Sequence, residues 1–228
     1  NTLNGGSIGS SHAAPGIHVP TDAALLIQGG GSLTVMGGAS SSYGGAGIGG
    51  NASTGDKGED CGTVLVLTTG TTTIQGGTGS SVGNGKDIGG GRGTEGDGDN
   101  GTGIRRDNEE DTYTVYGNLE LPMDATIPEN ITVTIPGEAS LTVPKDVTLT
   151  VKGTLTINST LTNNGTLTND STIEGSGTIA GDGTFGGTGR YGEKLKSKFV
   201  DYRYFDTDDQ AWKEATRPAT VLTANSTY

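Results

Sequence analysis

Large side chains are scarce in this chain. Aromatic residues make up 5% of its 228 residues and hydrophobic residues 30%, while glycine alone supplies 43. A two-layer globular domain on long elements would lack the bulky groups to fill its core. Cysteine occurs once, at Cys61, which excludes an internal disulfide and reads as a small buried hydrophobe. The two histidines, His12 and His18, have no Cys or His neighbour at zinc-ligand spacing. Positive charge is thin as well: 14 Lys and Arg stand against 26 Asp and Glu, a formal net charge of −12. Such a surface repels polyanions, so nucleic acid and anionic membranes are not expected as partners. No apolar run approaches the ~20 residues that span a bilayer, so membrane insertion is not expected, and no signal peptide stands at Asn1, as in a mature or trimmed chain.

What the chain does have is internal repetition. Leu25-Leu26-Ile27-Gln28, Gly31-Ser32-Leu33-Thr34-Val35-Met36-Gly37-Gly38 and Gly44-Gly45-Ala46-Gly47-Ile48-Gly49-Gly50 recur as Val64-Leu65-Val66-Leu67, Gly70-Thr71-Thr72-Thr73-Ile74-Gln75-Gly76-Gly77 and Asn84-Gly85-Lys86-Asp87-Ile88-Gly89-Gly90, about 39 residues later. Ala14-Pro15-Gly16-Ile17 reads as an earlier copy of the Ala46-Gly47-Ile48 corner. Each unit offers short strands between Gly-rich turns, enough for one or two coils of a solenoid. Leu, Ile and Val at fixed intervals argue against a disordered linker, which has no use for such spacing.

A tighter repeat follows. From Val143, apolar or aromatic residues fall every sixth position at Leu149, Leu155, Leu161, Leu167, Ile173, Ile179, Phe185 and Tyr191. Each but the last follows a threonine, and Gly or Ser stands two positions before each from Leu155 to Phe185, where a larger side chain would crowd a corner. A hexad is one short strand plus one bend, so three of them close a triangular coil and set residue i over residue i+18. Leu149 is then expected under Leu167 and Phe185, Leu155 under Ile173, and Leu161 under Ile179. Residues 113–151 alternate apolar and polar, punctuated by Pro122, Pro128, Pro136 and Pro144 as corner markers.

Chemistry-bearing constellations are few. His12 and His18 lie without a nucleophile motif, and no histidine falls in or beside residues 142–191, which argues against the hexapeptide acyltransferases that share the six-residue period. Acid–base pairs of the lyase or glycosidase kind have acidic residues available, but these cluster in the charged, Gly-rich stretch 92–112, where a solvated charge run is the plainer reading. Within it, Asp97, Asp99 and Asn100 offer hard oxygen ligands in a Gly-rich turn and form the candidate metal site, for calcium, with Asp107, Glu109 and Glu110 nearby. The match to an EF-hand loop is partial, since Thr102 and Asn108 stand where Gly and Glu are required. No catalytic residue and no other cofactor is assigned. The Thr-Leu-Thr hexads resemble the Thr-x-Thr rows of ice-binding solenoids, but stacking at i+18 sets Thr156 beside Glu174, Thr162 beside Ala180 and Thr168 beside Gly186, so no face is expected to carry a continuous two-column threonine array.

The units Gly31–Gly38 and Gly45–Gly50 resemble the Gly-Ala-Gly-Ile-Gly-Gly repeats of large, mostly uncharacterised cell-surface proteins of anaerobic gut bacteria, over roughly residues 10–95. Ile131–Pro136 through Asn163-Asn164-Gly165-Thr166-Leu167-Thr168-Asn169 is similar to the solenoid segments that accompany them, and Val200 to Tyr228 looks like the start of a further module, which makes the chain a fragment. The resemblance implies a secreted or cell-wall-attached extracellular protein with right-handed β-helix segments and adhesive or glycan-binding roles, its partner a host or bacterial surface glycan or protein. No catalytic residues travel with it. Asn84-Gly85-Lys86-Asp87, in place of Gly-Ala-Gly, departs from the pattern at one corner.

The expected fold is therefore all-β, a right-handed parallel β-helix (β-solenoid) with a C-terminal hairpin, although the hexads alone would also fit a left-handed coil. Residues 1–91 form Gly-rich solenoid repeats, 92–112 an acidic loop or linker, 113–192 the hexad solenoid, and 193–228 a hairpin that caps it or opens a further module. The expected function is a non-enzymatic scaffold or adhesin. The alternatives are a carbohydrate-binding module, which an exposed aromatic row would favour, or a polysaccharide lyase or glycosidase on the same fold.

Overall fold

In an extended strand alternate side chains point to opposite faces, so Thr-Leu-Thr-Ile sends two threonines one way and Leu and Ile the other. If a two-residue corner follows, the next strand resumes with the same parity. The computed structural model shows this at Thr154–Ile157, Thr160–Asn163 and Thr166–Asn169, where Leu155, Leu161 and Leu167 have no exposure and the threonines are half-buried. The structure describes residues 1–8, 11–54, 56–81, 83–107, 112–192, 194–197, 203–206 and 211–214, with no helix among them. No helix there is long and apolar enough to cross a membrane. The chain divides into two units, Asn1–Asn108 and Glu109–Tyr228.

In the second unit, successive strands visit three parallel sheets in fixed order. The first holds Thr112–Tyr116, Thr132–Ile135, Thr154–Ile157, Thr172–Gly175 and Arg190–Tyr191. The second holds Asn118–Glu120, Ser140–Val143, Thr160–Asn163, Thr178–Ala180 and Lys196–Ser197. The third holds Ala125–Ile127, Thr148–Val151, Thr166–Asn169 and Thr184–Gly186. The register pairs Leu149 with Leu167 and Leu167 with Phe185, Leu155 with Ile173, and Leu161 with Ile179, as the hexads require. These are the stacked rungs of a β-solenoid.

One detail of the hexad count is corrected. Val143 is not the first member of the row, because Leu141 pairs with Leu161 while Val143 pairs with Asn163. The earlier inward residues Val133, Leu141 and Leu149 are eight apart, because the corners between their strands have four residues. Each begins with proline: Ile131, Ala139 and Val147 donate their N–H to the carbonyls of Pro128, Pro136 and Pro144 at 3.3, 3.1 and 3.2 Å. Asn130 and Asp146 adopt left-handed φ of 64° and 66° in two of these turns, a conformation that Asn and Asp tolerate better than most residues. The six-residue period starts only at Leu149, where the corners shorten to two residues.

Two things keep the corner residues small: the carbonyls of the neighbouring coil, as Pro144 O and Val147 O do at Gly165, and, in two places, a buried asparagine at the last inward position of a strand. Asn163 and Asn169 are fully buried there, and each amide donates to a carbonyl one coil on, Thr184 O at 2.9 Å and Arg190 O at 3.0 Å. A buried amide needs such partners. It also needs room: a Cβ on Gly183 would lie 2.8 Å from Asn163 Cγ, and one on Gly189 2.4 Å from Asn169 Oδ1.

The first unit has a longer coil, one per repeat. Its parallel sheets stack Thr2–Asn4, Leu33–Met36 and Thr72–Gln75, then Ile17–His18, Ile48–Gly49 and Ile88–Gly89, then Ala24–Gly29, Thr63–Thr68 and Gly103–Asp107. Leu25 to Gln28 pair residue by residue with Val64 to Leu67, and Ile17 with Ile48, as the repeats indicate. A short antiparallel pair, Ser7–Ile8 with His12–Ala13, accompanies the first coil. The departure at Asn84–Asp87 leaves its corner intact, since Ile48 N still donates to Asp87 O at 2.9 Å and the Asp87 carboxylate accepts from Gly76 N at 2.9 Å. Within the stretch read as a loop, Gly103–Asp107 is a strand, because Ile104 continues the apolar column of Leu26 and Leu65.

Glycine here replaces side-chain packing with backbone packing. Gly85 N donates to Gly77 O, Gly77 N to Gly45 O and Gly45 N to Gly38 O, at 2.8, 2.8 and 2.9 Å, which links the segment after one sheet to the segment before the next. A Cβ on Gly45 would fall 2.0 Å from Ala14 O and one on Gly77 1.9 Å from Gly38 O. No larger residue fits there.

At the C-terminal end Arg203–Asp206 pairs antiparallel with Ala211–Glu214, Phe205 opposite Trp212, as the hairpin expectation requires. Its turn and residues 215–228 lie outside the described residues.

Leu167→Asp would set an unpaired charge between Leu149 and Phe185 and should cost about 4 kcal/mol or more. Thr168→Ala, on the outward face of the same strand, should stay within about 0.5 kcal/mol. Thermal melting of the two variants checks the difference, and an unchanged Leu167→Asp midpoint would contradict the stacked core.

Candidate functional site

The charged side chains of the first unit gather where coils lie side by side, and three groups form. In the first, Glu59 accepts from Asn51 N at 3.0 Å and Asn51 Nδ2 at 2.7 Å, and its Oε2 lies 2.8 Å from His18 Nε2. Burial alone would raise the Glu59 pKa, but the bonds from Asn51 and His18 outweigh it and hold the carboxyl below its ordinary value. In the second, Asp60 accepts from Asp99 N at 2.7 Å and from Lys57 Nζ at 2.9 Å, which lowers its pKa, backbone bond first. Lys57 is correspondingly raised, chiefly by its hydrogen bond to Asp60.

The third group contains two of the three candidate calcium ligands. Asp97 lies between Lys86 Nζ at 3.5 Å and Arg92 Nη1 at 3.8 Å. Asn100 Oδ1 accepts from Lys86 Nζ at 2.7 Å. Asp99 belongs to the other group, 3.5 Å from Lys57 Nζ. The structure therefore gives each candidate ligand a cationic neighbour. No group of three or more His, Cys, Asp or Glu side chains is placed to hold a metal ion among the described residues. Glu109 and Glu110 lie outside those residues, as does the Asp107 side chain.

Cys61 is buried, and burial pushes its thiol pKa up, which suits a small hydrophobe better than a nucleophile. Residue pattern alone did not reveal the His18–Asn51–Glu59 cluster, whose members are 33 and 41 residues apart from one end to the other. The available signal was the repeat length, which brings residues about one coil apart into contact.

The threonine columns also differ from expectation. Thr156, Thr162 and Thr168 do lie beside Glu174, Ala180 and Gly186. Toward the N-terminus, however, the columns continue: Thr126, Thr150 and Thr168 stack on the third sheet beside Thr148, Thr166 and Thr184. The first sheet likewise carries Thr132, Thr154 and Thr172 beside Thr134 and Thr156. Paired threonine columns thus span two complete coils on each of these sheets, because the proline corners keep the alternation that the hexads continue.

No family model, curated protein or solved structure matches this chain.

Because the Glu59 pKa is depressed on folding, its contribution to stability is present above the unfolded value and is lost as pH falls through the folded one. The stability difference between the unaltered chain and Glu59→Gln should therefore shrink on acidification below the ordinary glutamate range, as read by denaturant unfolding; a pH-independent difference would contradict the cluster. Calcium would have to displace Lys86 and Lys57, so isothermal titration should be as flat for the unaltered chain as for Asp97→Ala/Asp99→Ala. A saturable heat lost in the double variant would establish the site.

Proposed function

We propose that this chain is a non-enzymatic extracellular surface protein, secreted or wall-attached, serving as a structural scaffold or adhesive surface. The observation that supports it is the periodic exterior of the second unit. Outward positions repeat threonine coil after coil, while the inward Leu, Ile and Val are committed to the core. Such a surface offers one contact many times along an axis, which suits multivalent attachment better than the chemistry of a single cleft. The likeness of the Gly-rich units to gut-bacterial surface repeats, and a surface glycan or protein as partner, belong to this proposal. The carbohydrate-module alternative gains less support: Tyr43, Tyr113 and Tyr191 are buried, and among the residues whose side chains are described only Tyr116 is an exposed aromatic, at 49%.

Two measurements test the proposal. Antibody raised to the chain should label intact cells of the producing organism, and the purified chain should release no new reducing ends from pectin, alginate or glycosaminoglycans. Labelling only after permeabilisation, or depolymerisation of any of these polymers, would overturn it.

A further inference from the structure

Three residues of the third coil break the repeat of the first unit, and two of them meet at the third. The register pairs Ile88 with Ile48 and Gly103 with Val64. By that register Lys86 stands where the previous coil has Ala46, Asp97 where it has Gly58, and Asn100 where it has Cys61. Two small or apolar residues and one glycine are thus replaced by an amine, a carboxamide and a carboxylate. Lys86 Nζ lies 2.7 Å from Asn100 Oδ1 and 3.5 Å from Asp97 Oδ2.

The surroundings are shaped to this contact. A Cβ on Gly89 would fall 2.5 Å from Asn100 Oδ1 and 2.9 Å from Lys86 Cδ, so the bare backbone there leaves the space in which the two side chains meet. The Arg105 guanidinium donates to the main-chain carbonyl of Asn100 and, at 3.3 Å, to that of Ile88, which ties Asn100 to the strand carrying Gly89. On its far side Asp97 faces Arg92 Nη1 at 3.8 Å, and Arg92 is itself fixed by donating to Asn84 O at 2.7 Å. Lys86 thus lies against both partners, with Arg105 holding the Asn100 main chain on one side and Arg92 flanking Asp97 on the other.

We propose that Lys86 and Asn100 join through a self-formed isopeptide bond, with Asp97 as the base. The Asp97 carboxylate takes a proton from the Lys86 ammonium, and the freed lone pair attacks Asn100 Cγ, one bond behind the oxygen that Nζ already touches. The new Nζ–Cγ bond forms as the carbonyl pair moves to Oδ1. When that pair returns, the Cγ–Nδ2 bond breaks: Nδ2 takes the proton carried by Asp97, Asp97 then relays the second proton that Nζ must lose, and Nδ2 departs as ammonium. Ammonium and carboxamide become secondary amide and ammonium, with no oxidant, reductant or further reactant. An amine and a carboxamide are ordinarily inert toward each other in water; fixed proximity and a positioned base are the two effects that lower such a barrier.

Intact-mass spectrometry of the purified full chain tests the proposal. The unaltered protein should be lighter than its sequence by one ammonia, and tandem fragmentation of its digest should contain a branched peptide joining Lys86 to Asn100. Lys86→Arg, Asn100→Ala and Asp97→Ala should have their full sequence masses while keeping the circular dichroism of the unaltered chain. A wild-type mass equal to the sequence mass overturns the proposal. An ammonia loss that persists in Lys86→Arg marks a cyclic imide at one of the Asn-Gly pairs, Asn4-Gly5, Asn84-Gly85, Asn100-Gly101 or Asn164-Gly165, and with no branched peptide in the unaltered chain it overturns the proposal; persistence of the branched peptide in Asp97→Ala overturns the role of the base. The branched peptide in the unaltered chain decides the matter even if a variant fails to fold.

Discussion

The parallel ladder between coils governs the rest of this structure. Once strands stack in register, each residue lies over the residue one coil earlier, so a column must be acceptable as a whole. A leucine in the interior calls for an apolar residue above and below it, as Leu149, Leu167 and Phe185 show. The same ladder supplies the hydrogen bonds of the strand backbones, which is why short strands separated by bends can be stable without helices or a broad core.

The two units meet this constraint with different materials. The second spends one or two apolar side chains per strand and closes its corners with two residues, or with four where proline leads the turn. The first lets opposing segments of the coil touch through glycine, so that main-chain groups fill the volume that side chains occupy elsewhere. This accounts for a composition with so much glycine and so few aromatics. The buried Asn163 and Asn169 are an intermediate solution, their amides bonding to carbonyls one coil ahead.

The periodic features were the legible ones. Leu155, Leu161 and Leu167 recur at an interval that gives continuous apolar columns once three hexads close a coil, and Leu25–Gln28 recurs as Val64–Leu67 closely enough to show its partner. What escaped was whatever depends on corner length or on single substitutions. Val143 falls on the six-residue count by coincidence, because an eight-residue spacing precedes it and shifts which inward position it fills. The strand Gly103–Asp107 was hidden because its stretch is rich in charge, although Ile104 keeps the column. The contact between Lys86 and Asn100 could be seen only by aligning coils and asking which residues break the pattern, since a repeat announces what it conserves and not where its exceptions meet.

Stacking of residue i on residue i+18 is the claim on which the second unit rests, and electron paramagnetic resonance reads it directly. With Cys61 replaced by alanine, nitroxide labels at Thr150→Cys and Thr168→Cys would sit on neighbouring strands of one sheet, about 5 Å apart at the backbone. Labels at Thr150→Cys and Thr162→Cys would sit on different sheets. The account predicts strong dipolar broadening for the first pair and much weaker broadening for the second; equal spectra, or the reverse order, would contradict it.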